Sequence, residues 1–174
     1  MTSSPLPRLT LVIGGARSGK SRHAEELIQK SGAPWAYVAT AEALDDEMAA
    51  RIAHHRARRD PRWRTIDAPR DLAGALSSLD GAGEAVLVDC LTLWLSNTLL
   101  ADGDVEVACD DLVGVLRRIS GPLIVVSNEV GFGIVPDTPL GRRFRDAQGR
   151  LNQAVAGVAE RVVLVAAGLP LVLK

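Results

Sequence analysis

Leu9-Thr-Leu-Val-Ile-Gly-Gly-Ala-Arg-Ser-Gly-Lys-Ser21 is the stretch on which the fold turns. Five apolar or β-branched residues run without a break into Gly14-Gly15-Ala16-Arg17-Ser18-Gly19-Lys20-Ser21, which fits G-x-x-x-x-G-K-[ST], and a helix-compatible run follows. The glycines let the backbone curl so that successive N–H groups point inward, and the helix start adds its partial positive charge. A phosphate-binding loop is the reading, against a glycine-rich turn that merely starts a helix. In such a loop Lys20 reaches the terminal phosphates of a nucleoside triphosphate and Ser21 offers a hydroxyl to Mg²⁺.

Outward from this loop the chain alternates. Short, nearly all-apolar runs at Leu9–Ile13, Trp35–Ala39, Ala85–Asp89, Leu123–Ser127 and Val162–Ala166 read as parallel strands buried on both faces. Helical patterns fall between them, at about Lys20–Lys30, Asp45–Arg58, Asp71–Leu79, Asp104–Ser120 and Leu140–Glu160. The expectation is one α/β domain over residues 1–174, a P-loop NTPase-like, mostly parallel twisted sheet with helices on both faces. Leu171–Leu173, after Gly168–Pro170, is placed to return as an antiparallel edge strand.

Ligands of such sheets sit beyond the carboxyl ends of the strands. The residues to inspect are therefore Gly14–Ser21, Thr40–Glu42, Asp89–Thr92 and Asn128–Gly133. Asp89 closes an apolar strand and is favoured as the metal-side carboxylate, the competing reading being a cap on the following helix.

Leu44 to Arg59 places acids in the first turn of a helix and arginines in its last, as the helix dipole favours. On a helical wheel His55 joins the stripe of Leu44, Met48 and Ile52, while His54 shares a polar row with Glu47, Arg51 and Arg58. Spacing alone favours an ordinary solvated residue at His54; imidazole is also a competent nucleophile towards phosphorus. The arginines from Arg56 to Arg64 are either a solvated helix end or a clamp for a polyphosphate.

Composition narrows the classes. A net charge of -1 and 3% aromatic residues argue against a nucleic-acid binder, and 47% hydrophobic content is enough for a real core. The most apolar stretch, Ala85–Leu100, is interrupted by Asp89, Ser96 and Asn97 and is no membrane span. Cys90 and Cys109 lack metal-site spacing and read as reduced thiols, and Met1–Leu9 lacks the apolar core of a signal peptide. A cytoplasmic protein is expected.

Several blocks are not generic to phosphate-loop proteins. They are Gly14-Gly-Ala-Arg-Ser-Gly-Lys-Ser-Arg-His-Ala-Glu25, Asp45-Asp-Glu-Met-Ala-Ala-Arg-Ile-Ala-His-His55, Trp63-Arg-Thr65, Asn128-Glu-Val-Gly-Phe-Gly-Ile-Val-Pro136 and Phe144-Arg-Asp-Ala-Gln-Gly-Arg-Leu-Asn-Gln153. On these, over essentially its whole length, the chain resembles the bifunctional adenosylcobinamide kinase/adenosylcobinamide-phosphate guanylyltransferase family of cobalamin biosynthesis. The resemblance implies phosphorylation of the aminopropanol hydroxyl of adenosylcobinamide by GTP or ATP. It further implies transfer of GMP from GTP to that phosphate, with GMP held covalently on the first histidine of the pair, His54 here. Nucleotide contacts are implied at Gly14, Gly15, Ala16, Arg17, Ser18, Gly19, Lys20 and Ser21, at Thr40, Ala41 and Glu42, at His55, Arg56, Ala57 and Arg58, and at Asp67 and Asp89. Glu is expected where Asp67 stands, so this position departs from the pattern with a shorter side chain. The resemblance also implies a homotrimer, while Mg²⁺ at Ser21 and Asp89 is the expectation from the loop and the strand-end acid.

Two other readings remain at this stage: a small-molecule kinase without covalent chemistry, and a GTP-hydrolysing switch. Against the switch, no Asn-Lys-x-Asp segment follows a late strand; Ser127-Asn128-Glu129-Val130 stands there.

Overall fold

A computed structural model of the chain describes residues 6–32, 34–43, 46, 49–50, 52–53 and 60–174. Strand β1 (Leu9–Gly14) feeds α1 (Lys20–Gln29), followed by β2 (Trp35–Ala39), β3 (Trp63–Asp67) and α2 (Leu72–Leu79). Then come β4 (Ala85–Asp89), α3 (Leu91–Leu100), α4 (Val105–Arg118), β5 (Leu123–Asn128), α5 (Pro139–Val158), β6 (Arg161–Ala166) and β7 (Leu169–Val172). The strands form one sheet in the order β3-β2-β4-β5-β1-β6-β7, parallel throughout except for β7, which runs antiparallel to β6. This is the P-loop NTPase-like architecture expected from the sequence.

The pleat divides strands β1 to β6 between two cores. Leu9 and Leu11 of β1, with Val86 and Val88 of β4, pack beneath α2 to α5 against Leu76, Trp94, Leu112 and Leu151. Val12, Leu87 and Val126 point the other way, toward Ala24, Leu27 and Ile28 of α1. Local signals start the helices: Asp71 accepts from the Gly74 N–H, Asp104 from Glu106 and Val107, and Thr138 from Gly141 ahead of Pro139. Among the described residues no helix is long and apolar enough to cross a membrane.

The five expected strands are present, and three differences have physical causes. β3 was not anticipated: it is the sheet's edge, where Trp-Arg-Thr-Ile-Asp buries Trp63 but exposes Arg64, Thr65 and Asp67, so no apolar run marks it. α3 lies inside the run read only as too interrupted for a membrane; burial of Leu91, Trp94, Leu95, Asn97 and Leu99 hides its period. The antiparallel edge strand begins at Leu169, two residues before the expected Leu171, because Ala167 and Gly168 make the whole turn with φ of 51° and 78°. Pro170 is tolerated there because the strand is an edge. Of the expected helix Asp45–Arg58, positions 46, 49–50 and 52–53 are helical and the remainder lies outside the described residues.

Candidate active site

The loop between β1 and α1 is shaped by three backbone requirements. A Cβ on Gly14 would stand 2.4 Å from the Val165 carbonyl oxygen and 2.6 Å from Ser18 Oγ, so only glycine fits. Arg17 and Gly19 adopt left-handed φ of 56° and 93°. The Ser18 N–H donates to the Gly15 carbonyl at 3.2 Å, closing a turn whose arch, Gly15-Ala16-Arg17, is exposed. Lys20 opens α1 and is 9% exposed, its Nζ folded back to donate to the Gly15 carbonyl at 3.1 Å. No acid stands in the first turn of α1, and Ser21 lies there partly exposed. Ser18 Oγ is buried with no hydrogen-bond partner among the described residues. The loop thus presents a lysine and an unanswered hydroxyl at a helix start, which is where an oxyanion belongs.

The turn between β6 and β7 backs this loop. The Gly168 N–H donates to the Ser18 carbonyl at 2.8 Å, and a Cβ on Gly19 would meet the Gly168 Cα at 3.3 Å. Sequence reasoning did not connect these segments. The available signal was the Ala167-Gly168 pair between two apolar runs, a short hairpin turn.

Asp89 ends β4 on the α1 face of the sheet, with its Oδ2 accepting from the Tyr37 hydroxyl at 3.0 Å. In register, Ala39 lies beside both Asp89 and Asp67, so the two acids flank the end of β2. The chain then leaves β2 through Thr40 and Ala41. The buried Thr40 hydroxyl donates to the Cys90 carbonyl at 2.7 Å and accepts the Cys90 N–H at 2.8 Å. Asn97 Nδ2 holds the Thr40 and Pro69 carbonyls at 2.8 and 3.0 Å. Glu42 is ion-paired with Arg70 at 2.9 Å, and the Arg70 carbonyl accepts from the Trp94 indole at 2.7 Å. Tyr37, Arg70 and Asn97 were not anticipated; they are the groups that fix the expected Asp89, Glu42 and Thr40.

Not every expected residue gathers at the loop. Asp67 is on edge strand β3, four strands from β1, or about 19 Å at ordinary strand spacing. Within the arginine run, Arg62 pairs with Asp60 at 2.6 Å and lies 4.6 Å over the Trp35 ring, and Arg64 pairs with Glu84. The two are therefore committed to neighbouring acids rather than to a polyphosphate clamp. Hydrogen bonds from Arg62 hold Asp60 down at about 2, so that pair stays ionised at neutral pH. His54, His55, Arg56, Ala57 and Arg58 lie outside the described residues.

The donor set suits a hard divalent cation: a Ser21 hydroxyl and one strand-end carboxylate steadied by a tyrosine. Among the described residues no three His, Cys, Asp or Glu side chains cluster as a cage. An ion at Ser21 and Asp89 would complete its shell with phosphate oxygens and water, as Mg²⁺ does with nucleotides.

Known proteins give the arrangement a family. The chain is 51% identical over 166 residues to the bifunctional adenosylcobalamin biosynthesis protein CobP of Pseudomonas aeruginosa, with 94% of this chain and 96% of that protein covered. It is 42% identical over 182 residues to the bifunctional adenosylcobalamin biosynthesis protein CobU of Salmonella typhimurium, covering 95% and 99% of the two. Among solved structures, the flagellar accessory protein FlaH of Methanocaldococcus jannaschii superposes with a TM-score of 0.57 at 15% identity, over 99% of this chain and 81% of that one; the likeness is one of fold. The family model for cobinamide kinase / cobinamide phosphate guanyltransferase matches residues 10–173. With so complete a match and relatives this similar, the chain belongs to the cobinamide kinase / cobinamide phosphate guanyltransferase family.

Proposed function

We propose that the chain performs two transfers as one domain over residues 1–174. It first phosphorylates the aminopropanol hydroxyl of adenosylcobinamide with GTP or ATP. It then moves GMP from GTP to adenosylcobinamide phosphate, giving adenosylcobinamide-GDP and pyrophosphate. The observation that carries this reading is the loop Gly14–Ser21 with Lys20 folded into it at an acid-free helix start.

In the kinase step the loop N–H groups of Gly14 to Gly19 cradle the phosphates. Lys20 exchanges the Gly15 carbonyl for the β- and γ-phosphate oxygens, where it offsets charge that grows in the transition state. Thr40, Ala41, Glu42, Asp67 and the segment His55–Arg58 supply further nucleotide contacts. Ser21 and Asp89 would hold Mg²⁺, which supplies charge neutralisation across the phosphates when bound.

For the second step, the lone pair of a neutral His54 imidazole nitrogen forms a P–N bond to the α-phosphorus. The bond to the α–β bridging oxygen breaks, and pyrophosphate leaves with the electron pair. A phosphate oxygen of adenosylcobinamide phosphate then attacks the same phosphorus, breaking the P–N bond and restoring imidazole. The working assembly is a cytoplasmic homotrimer; exposed Phe132 and Ile134 and the outer strand β7 support self-association.

The test is incubation with α-labelled GTP followed by alkaline denaturation, under which a phosphoramidate survives. Wild type and His55→Ala retain label; His54→Ala retains none yet still phosphorylates adenosylcobinamide. Label that persists on His54→Ala and vanishes from His55→Ala names the other histidine as nucleophile. If wild type holds no label, the covalent step falls and a plain small-molecule kinase replaces it.

A further inference from the structure

We propose that the Asn128 side chain holds the acceptor hydroxyl in the kinase half-reaction and takes no part in the guanylyl half. The inference rests on the reading just given of which two transfers the chain performs.

Asn128 ends β5, the strand between β1 and β4, and stands beside Gly14 in register. The Glu129 N–H donates to the Gly14 carbonyl at 3.0 Å, tying the end of β5 to the start of the phosphate loop. Ser127 points beneath α5, where its Oγ meets Asn152 Oδ1 at 2.6 Å. The pleat therefore turns Asn128 to the opposite face, the one that carries α1 and Asp89. The loop lysine, the strand-end acid and this carboxamide thus share one face at one end of the sheet.

The backbone of Asn128 is held from both sides. Its N–H donates to Thr92 Oγ1 at 2.8 Å, and its carbonyl accepts from Asn152 Nδ2 at 3.0 Å. Asn152 is in turn held by Ser127 and by Gln148 Nε2 at 3.0 Å, all three being buried. So much polar fixation of one strand end contrasts with the side chain it presents: Asn128 Oδ1 is buried and has no hydrogen-bond partner among the described residues. An amide oxygen left unanswered is destabilising, and a ligand group that donates to it relieves the penalty. The residue as a whole is partly exposed, so its carboxamide can be reached by a ligand without moving the backbone.

The chemistry of the missing partner follows from the acceptor. A carbonyl oxygen needs a donor, and fully ionised phosphate oxygens have no hydrogen to give. An alcohol does. In the kinase step the alcohol oxygen forms a bond to the γ-phosphorus as the bond to the β–γ bridging oxygen breaks. The nucleoside diphosphate leaves with that electron pair, and the hydroxyl proton passes through a phosphoryl oxygen to solvent. An O–H···Oδ1 bond to Asn128 fixes the direction of the attacking lone pair, while proton transfer needs no basic residue there. The acceptor of the guanylyl step is a phosphate, so the same oxygen offers it nothing.

The experiment compares wild type with Asn128→Ala in three assays: phosphorylation of adenosylcobinamide, guanylyl transfer to supplied adenosylcobinamide phosphate, and binding of a non-hydrolysable GTP analogue. The expected result is a fall in kinase kcat of about 100-fold, of the size seen when a single transition-state hydrogen bond is removed. Analogue affinity and guanylyl transfer stay within about threefold, by the same reasoning. If Asn128→Ala proves unstable, near-isosteric Asn128→Leu carries the same comparison. A kinase rate near wild type overturns the inference, as do equal losses in both half-reactions or a matching loss of analogue affinity. Wild type that phosphorylates no adenosylcobinamide overturns the proposed function itself, and this inference with it.

Discussion

Lys20 occupies a site that is costly for a lysine. Only 9% of it is exposed, and its partner is a carbonyl rather than a carboxylate. A desolvated ammonium with dipolar compensation alone gains most from an anion, and Lys20 belongs to neither hydrophobic core. Lys20→Ala is therefore expected to lower kinase turnover by on the order of 10²–10³-fold, as for loss of one preorganised transition-state donor, while the melting temperature moves by only a few degrees. Near-normal turnover in the folded variant would remove Lys20 from the mechanism. The lysine's place was legible in the sequence because the motif is local: strand, loop and helix start are consecutive residues. The Tyr37–Asp89 hydrogen bond was not legible, because its partners are 52 positions apart and meet only through the pairing of β2 with β4. Asn97 is a similar case: a polar residue in an apolar run read as an interruption, yet it binds two loop carbonyls.

Among the elements, those buried on both faces were legible, since an all-apolar run of strand length admits few readings. β3 and α3 were not, for opposite reasons: one is too exposed to leave a pattern and the other too buried to show a period. The β6–β7 hairpin has a consequence at this scale. Gly168 has φ 78° and its N–H supports Ser18, whereas Gly32, with a comparable φ of 80°, follows the far end of α1; an added Cβ would meet open space at either. Forcing a side chain into that backbone costs about 1–2 kcal/mol at either site. Gly168→Val is therefore expected to lower stability to the same degree as Gly32→Val, and to weaken binding of a GTP analogue in addition. Urea unfolding and analogue titration of both variants check this; equal affinities would mean that the hairpin does not brace the loop.

Across the whole molecule the two cores also set an alkaline limit. Burial raises the Cys90 thiol from an ordinary 9.0 to about 11, and burial likewise lifts Cys109 to about 11. In the unfolded chain both thiols ionise near their ordinary value, so between pH 9 and 11 the folded state holds more protons than the unfolded one. Stability is then full below pH 9 and declines as pH rises toward 11. The urea midpoint of wild type should fall between pH 8.5 and 10.5 more steeply than that of a Cys90→Ala/Cys109→Ala variant, and identical slopes would refute the assignment. The placement of β1 between β5 and β6 bears on how the protein is made. Both neighbours of the first strand come from late in the chain, with roughly 150 residues separating β1 from the end of β6, or about 7–30 s of ribosomal synthesis at ordinary elongation rates. Both hydrogen-bonding edges of this apolar strand stay open until β5 emerges, and one stays open until β6 follows. The β6–β7 turn that braces the phosphate loop through Gly168 and Ser18 is likewise made only when translation is nearly done.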